Sequence, residues 1–248
     1  MRFALVFVWT LLCTPLLVVP VLARLFGKVP SMRWGAWVCH VWARGLLRVF
    51  GVQIHFEGPL PPRGAFLASN HTTWLDILVL AAWQPTNFIA KREVAKIPFI
   101  GFLSGFAGTL FLNRESRRDA HRLAQDLEVL LAGGLEITLF PEGYCADGID
   151  LLPFRPPLFD AAATLQSPCV PIAIRYDLAA VVWNDGSTVG NHAGRMLKAR
   201  KADRGRAPII ATLITAPALH GSDRKLLARM VEEQVRERFV PFARPGTR

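Results

Sequence analysis

The chain has 248 residues, 52% of them hydrophobic, and a net charge of +10. That length suits one large domain or two small ones. The charge calls for an anionic partner. No recognition-helix, zinc-finger or aromatic RNA-binding signature is present and the tryptophans sit beside an apolar segment, so membrane lipid is expected and nucleic acid is not. Cys13, Cys39, Cys145 and Cys169 are scattered without metal spacing, which excludes a disulfide framework and a zinc site and agrees with a reducing compartment.

Residues 3–23 carry no charge and are bracketed by Arg2, Arg24 and Lys28. A run near 20 residues suits a membrane-spanning helix, with Pro15 and Pro20 predicting a kink or a re-entrant path. A secretory signal is the rival, but no A-x-A-like cleavage site follows. Residues 32–50 place Trp34, Trp37, Val38, Val41, Trp42, Leu46 and Val49 at helical spacing, with His40, Arg44 and Arg48 on another face. An interfacial helix and an ordinary core helix fit this pattern equally well. Residues 1–50 are therefore expected to form a membrane anchor with an interfacial helix, and 51–248 a catalytic domain. Arg24, Lys28, Arg33, Arg44 and Arg48 put that domain on the cytoplasmic side of the membrane.

Residues 52–57 alternate as a strand with one wet face. The apolar run 65–68 is followed by a polar junction, Ser69-Asn70-His71-Thr72-Thr73-Trp74-Leu75-Asp76, and then by an apolar helix over 77–83. Short strands are expected at 86–90 and 108–113, with a helix opening at Lys91 and interrupted near Pro98. Residues 116–132 carry Leu123, Leu127, Leu130 and Leu131 on one stripe, stopped by Gly133-Gly134. Strands follow at 135–140, 170–176 and 208–216, with helices at 159–165 and 223–240. Residues 177–206, with Gly186, Gly190 and Gly194 and a cluster of basic residues, read as a long surface excursion. Strands alternating with helices predict an α/β fold: a mixed, mostly parallel sheet flanked by helices, with an N-terminal membrane-associated helical segment.

His71 and Asp76 are candidates for a general base and the carboxylate that orients it. Five residues turn an α-helix through about 500°, so the two meet only if His71 lies before the helix and Asp76 in its first turns. A bland alternative makes His71 a helix-entry residue and Asp76 a complement to the helix dipole.

Downstream lie Phe111-Leu112-Asn113-Arg114, Phe140-Pro141-Glu142-Gly143 and Val170-Pro171-Ile172-Ala173-Ile174. In order and spacing, these stretches and Asn70-His71 with Asp76 resemble the four blocks of the glycerolipid (1-acylglycerol-3-phosphate, or lysophospholipid) acyltransferase family, over residues 52–176. Ala90-Lys91-Arg92-Glu93 and Leu152-Pro153-Phe154-Arg155 resemble its bacterial branch. The resemblance implies a transferase in which His71 deprotonates a lysolipid hydroxyl and Asp76 orients the ring. The oxygen then attacks the thioester of acyl-CoA or an acyl carrier protein, with no covalent enzyme intermediate, no cofactor and no metal. It also implies acceptor contacts from Asn70, Arg114, Glu142 and Gly143.

One departure bears on the acceptor. The family continues Glu-Gly with threonine and arginine, where this chain has Tyr144 and Cys145. Either Arg155 supplies the missing contact or the acceptor lacks a phosphomonoester. The leading expectation is 1-acylglycerol-3-phosphate. A lyso-ornithine lipid is the alternative, and a non-catalytic lipid-binding protein is the rival from another class. Cys145 as nucleophile would need a histidine, and none is close in sequence.

Overall fold

The computed structural model describes residues 2–96, 104, 108–112, 117–205 and 207–242. Arg114, expected at the acceptor, lies outside them. The described chain opens with helix α1 (Arg2–Cys13), a 3-10 turn at Pro15, and α2 (Val18–Ala23). Gly27, at φ 112°, then reverses the direction into α3 (Lys28–Phe50). The helical stretch Arg2–Phe26 is long and apolar enough to cross a membrane. Most of its outer face is bare: Phe7 is 69% exposed, Leu12 66%, and Leu25 and Phe26 82% each. Its inner face packs on α3, where Trp9 Nε1 donates to the Trp42 carbonyl at 2.9 Å. The Trp9 indole lies where a Cβ on Gly45 would stand, so Gly45 sets the closeness of the two helices.

After Gly51 ends α3 in the left-handed conformation come β1 (Val52–Glu57), β2 (Phe66–Ser69), α4 (Leu75–Trp83) and β3 (Asn87–Lys91). They are followed by β4 (Leu110–Leu112), α5 (Arg117–Ala132), β5 (Ile137–Leu139), α6 (Asp160–Thr164) and β6 (Cys169–Tyr176). The last elements are α7 (Val189–Arg204), β7 (Ile209–Thr215) and α8 (Arg224–Arg236). The seven described strands form one sheet in the order β1-β7-β6-β2-β5-β3-β4. Every pairing is parallel except β6 with β7. The mostly parallel, helix-flanked sheet is thus the one expected.

Period-two alternation distributes the strand side chains between two cores. Leu67, Val170, Ile172, Ile174 and Tyr176 face a layer made by α3, α4 and α7. Phe66, Ala68, Cys169 and Ala173 face the layer of α5, α6 and α8. Phe66 is fully buried, and truncating such a side chain to alanine costs about 3–5 kcal/mol. Helix α3 has an exposed face and a buried one. Trp34 and Trp37 stay 44% and 40% exposed, while Cys39, Ala43, Leu46, Leu47 and Phe50 join the core of the sheet.

The excursion expected at 177–206 needs correction, because its second half is α7. Thr188 caps that helix by accepting from Asn191 N at 3.3 Å. Its buried face is His192, Ala193, Met196 and Arg200, too polar to give an apolar stripe. The helix expected at 91 is a 3-10 turn, Arg92–Lys96.

Candidate active site

Strands β2, β5 and β6 run side by side and parallel, so their carboxyl ends open on one side of the sheet, where open α/β folds carry their sites. Each delivers one part. His71 follows β2, the Phe140–Gly143 turn follows β5, and Tyr176 ends β6.

Helix α4 begins at Leu75, so His71 lies in the turn before it and Asp76 in its first turn, the arrangement the spacing requires. His71 Nδ1 is 2.9 Å from Asp76 Oδ2. That oxygen also accepts the backbone N–H groups of Thr72 and Thr73 at 2.7 and 3.0 Å, a carboxylate reaching back to cap its own helix. The other oxygen, Oδ1, accepts from the Tyr176 hydroxyl at 2.7 Å. Asp76 is fully buried, and these four contacts hold it in place. One carboxylate thus stands both against the His71 ring and in the first turn of α4, where it complements the helix dipole.

Three further contacts fix His71. Its backbone N–H donates to Glu142 Oε1 at 2.6 Å, its carbonyl accepts from Ala146 N at 2.7 Å, and its ring stacks on Phe140 with centroids 4.1 Å apart. Burial disfavours the charged ring, but the hydrogen bond and charge of Asp76, with a further contribution from Cys145, outweigh it and raise its basicity above the ordinary histidine value. Burial and the Asp76 charge raise Tyr176 well above its usual range, so its O–H remains a donor. In the neutral ring with Nδ1 donating to Asp76, Nε2 is an acceptor, and Cys145 Sγ stands 3.3 Å from it.

Glu142 is 2% exposed and bridges two loops, with Oε2 accepting from Leu152 N at 2.9 Å. Burial pushes its carboxyl up to about 7 against the pull of those two backbone donors. Gly143 closes the turn by donating its N–H to the Phe140 carbonyl at 3.1 Å. Its φ of 83° is one that glycine adopts at least cost. Arg155 Nε donates to the Glu142 carbonyl at 3.2 Å, and its guanidinium lies 4.9 Å over the Tyr144 ring. Asn70 is 1% exposed, and both ends of its amide are bonded to Ile174: Nδ2 donates to the carbonyl at 3.0 Å and Oδ1 accepts the N–H at 2.7 Å. In this way Asn70 ties the end of β2 to β6.

The structure thus gathers His71, Asp76, Glu142, Gly143 and Arg155 at one place and sets Asn70 beneath them. It adds Tyr176, Phe140 and Cys145. Sequence carried no signal for Tyr176, which is 100 residues from Asp76 and reads as the end of an apolar strand. Cys145 acquires its histidine only through the fold. The His71 ring forms part of the wall of a cavity of about 670 Å³, shared with Val6, Leu17, Trp42, Leu46 and Phe88. Among the described residues no group of three or more His, Cys, Asp or Glu side chains could hold a metal ion.

Chemically, the arrangement is a histidine held by a buried carboxylate at the wall of an apolar cavity, which has the geometry a general base requires. Its relatives fit that chemistry. A 1-acyl-sn-glycerol-3-phosphate acyltransferase of Neisseria meningitidis is 36% identical over 135 residues, covering 54% of this chain and 53% of that protein. The chain thus spans about half the length of that relative. Lyso-ornithine lipid O-acyltransferases of Pseudomonas aeruginosa and Brucella abortus are 31% and 33% identical. They align over 82% and 78% of this chain and 79% and 78% of their own lengths. The fold resembles the crystal structure of a 1-acyl-sn-glycerophosphate acyltransferase from Thermotoga maritima. That likeness has a TM-score of 0.60 and 18% identity, and it covers 98% of this chain and 100% of that one. Residues 51–175, which carry both His71 and Glu142, match the Acyltransferase family model, and the chain belongs to that family.

Proposed function

We propose that the protein transfers a fatty acyl group from a thioester donor, acyl-CoA or acyl carrier protein, to the free hydroxyl of a lysolipid. The observation that carries this is the 2.9 Å His71–Asp76 pair at the wall of the apolar cavity. The acceptor hydroxyl donates to Nε2, taking the place of the Cys145 thiol. His71 removes its proton as the oxygen attacks the thioester carbonyl, and Asp76 stabilises the imidazolium that forms. The departing thiolate takes the proton back from His71, which restores the neutral ring. The cavity, whose walls include residues of α1 and α3, suits an acyl chain: it is large, apolar and continuous with the base.

The bare apolar face of 2–26 lies in the membrane, which supplies a water-insoluble acceptor directly. The basic residues Arg24, Lys28, Arg33, Arg44 and Arg48 support a catalytic part, residues 51–248, on the cytoplasmic side of a bacterial inner membrane. The acceptor named by the Neisseria relative, 1-acylglycerol-3-phosphate, is the first reading, with Arg114, Glu142 and Gly143 beside its head group. A lyso-ornithine lipid is the second, and two observations favour it: Cys145 stands where the family carries a second arginine, and the two relatives aligned over about four fifths of the chain act on that lipid. Membranes containing the protein, incubated with labelled acyl-CoA or acyl carrier protein and a panel of lysolipids, test the proposal. Label entering an acyl ester is expected. Label remaining in the donor with every acceptor contradicts it.

A further inference from the structure

Beside the cavity that holds His71 is a second one of about 650 Å³, lined by Glu142, Tyr144, Leu152, Phe154, Arg155 and neighbouring prolines. Among the described residues Tyr144 alone lines both, and it is 55% exposed. A molecule with its hydroxyl at His71 and its polar end in the second cavity would pass over this ring.

Arg155 is the one cation lining the second cavity among the described residues, and it is held there firmly. Its backbone N–H donates to the Pro141 carbonyl at 3.0 Å. Nε donates to the Glu142 carbonyl at 3.2 Å, and the guanidinium lies 4.9 Å over the Tyr144 ring. Edge and face are thus committed, while Nη1 and Nη2 carry no bond to a described residue. An arginine fork fixed in this way matches a planar carboxylate with two parallel hydrogen bonds.

Charge favours the same ligand. A phosphomonoester carries about −1.5 to −2 at pH 7, more than Arg155, the one cation lining this cavity among the described residues, balances by itself. Glu142 lines the same cavity, and its ionised form repels a dianion more strongly than a monoanion.

We propose that this cavity is the acceptor's head-group subsite and that it takes a carboxylate-bearing head group, with Arg155 as the contact and Tyr144 as the residue that aims it. An ornithine-derived lysolipid has such a carboxylate; lysophosphatidic acid has a phosphomonoester instead. The inference rests on the acyl-transfer reading and narrows its acceptor.

The test uses full-length protein in membranes, with acyl transfer to lyso-ornithine lipid and to lysophosphatidic acid each measured as kcat/KM. Wild type should favour the carboxylate acceptor. Arg155→Lys keeps the charge but loses the fork, and should lower that acceptor's kcat/KM about 10-fold or more, mainly through KM, with a smaller effect on lysophosphatidic acid. Tyr144→Leu changes an exposed side chain, so it tests the point even if Arg155→Lys fails to fold. It should lower the same ratio about 2- to 5-fold. A wild type that prefers lysophosphatidic acid, or a ratio that neither substitution moves, overturns this inference and leaves acyl transfer standing. A wild type that acylates neither acceptor overturns both.

Discussion

At the scale of the residue, the proposed chemistry depends on a neutral His71 ring with Nε2 unprotonated. Because Asp76 raises the ring's pKa, the neutral fraction keeps growing with pH beyond the ordinary histidine value near 6.5. The kcat/KM profile should therefore fall on its acid side from a point above that value. Asp76→Asn removes the charge, so the acid limb should move to lower pH while the maximal rate drops strongly, because the amide no longer enforces the tautomer. A limb that stays in place would mean that the titrating group is not His71. Cys145 calls for a separate expectation. Its thiol stands where the proposed mechanism puts the acceptor hydroxyl, and direct attack needs nothing from it, so Cys145→Ala should retain transfer within about 10-fold of wild type. Complete loss, or an acyl adduct on Cys145 seen by intact mass, would reassign it as the carrier of the acyl group. The His71–Asp76 pairing could be read from spacing because both residues are local to one junction. Tyr176 could not, since its contact with Asp76 exists only once β6 lies beside β2.

At the scale of the element, Glu142 is what joins the turn after β5 to the junction after β2, through His71 N on one oxygen and Leu152 N on the other. Glutamine can accept with one atom only and turns an N–H toward the second donor. Glu142→Gln should therefore cost about 1–3 kcal/mol, read as a lower midpoint of thermal unfolding. The pH dependence has an unusual sign for a carboxyl. Folding raises its pKa from 4.5 to about 7, so its contribution to stability is full below 4.5 and is lost as pH rises through 7. The difference between wild type and Glu142→Gln should carry that slope; a difference flat across the window would count against the raised pKa. Elements with a regular apolar pattern were legible: the buried strands β2, β5 and β6, and α5 with its leucine stripe. Helix α7 was hidden because it buries His192 and Arg200. The 192 ring accepts from Trp74 Nε1 at 2.9 Å and its other nitrogen contacts the Val182 carbonyl, also at 2.9 Å, a polar docking that hydrophobic periodicity does not register.

At the scale of the whole molecule, an apolar helical hairpin is joined to an α/β sheet through α3, whose C-terminal half belongs to the core. Removing residues 2–26 should leave the sheet folded, because their burial is mostly against α3 and their outer face is bare. It should release the protein from membranes and open one wall of the cavity at Val6, Cys13 and Leu17. Fractionation without detergent checks this, and full-length protein in the soluble fraction would contradict the membrane assignment. The apolar N-terminal helix was readable from composition alone, whereas its sharing of a cavity with His71 was not, because α1 and the 71–76 junction meet only in three dimensions. The central claim is that His71 is the base for acyl transfer, and the most direct measurement compares wild type with His71→Ala in membranes supplied with labelled thioester donor and lysolipid. Loss of at least about 100-fold in kcat is expected, with the variant still folded and membrane-bound; near-normal turnover by folded His71→Ala would contradict the account.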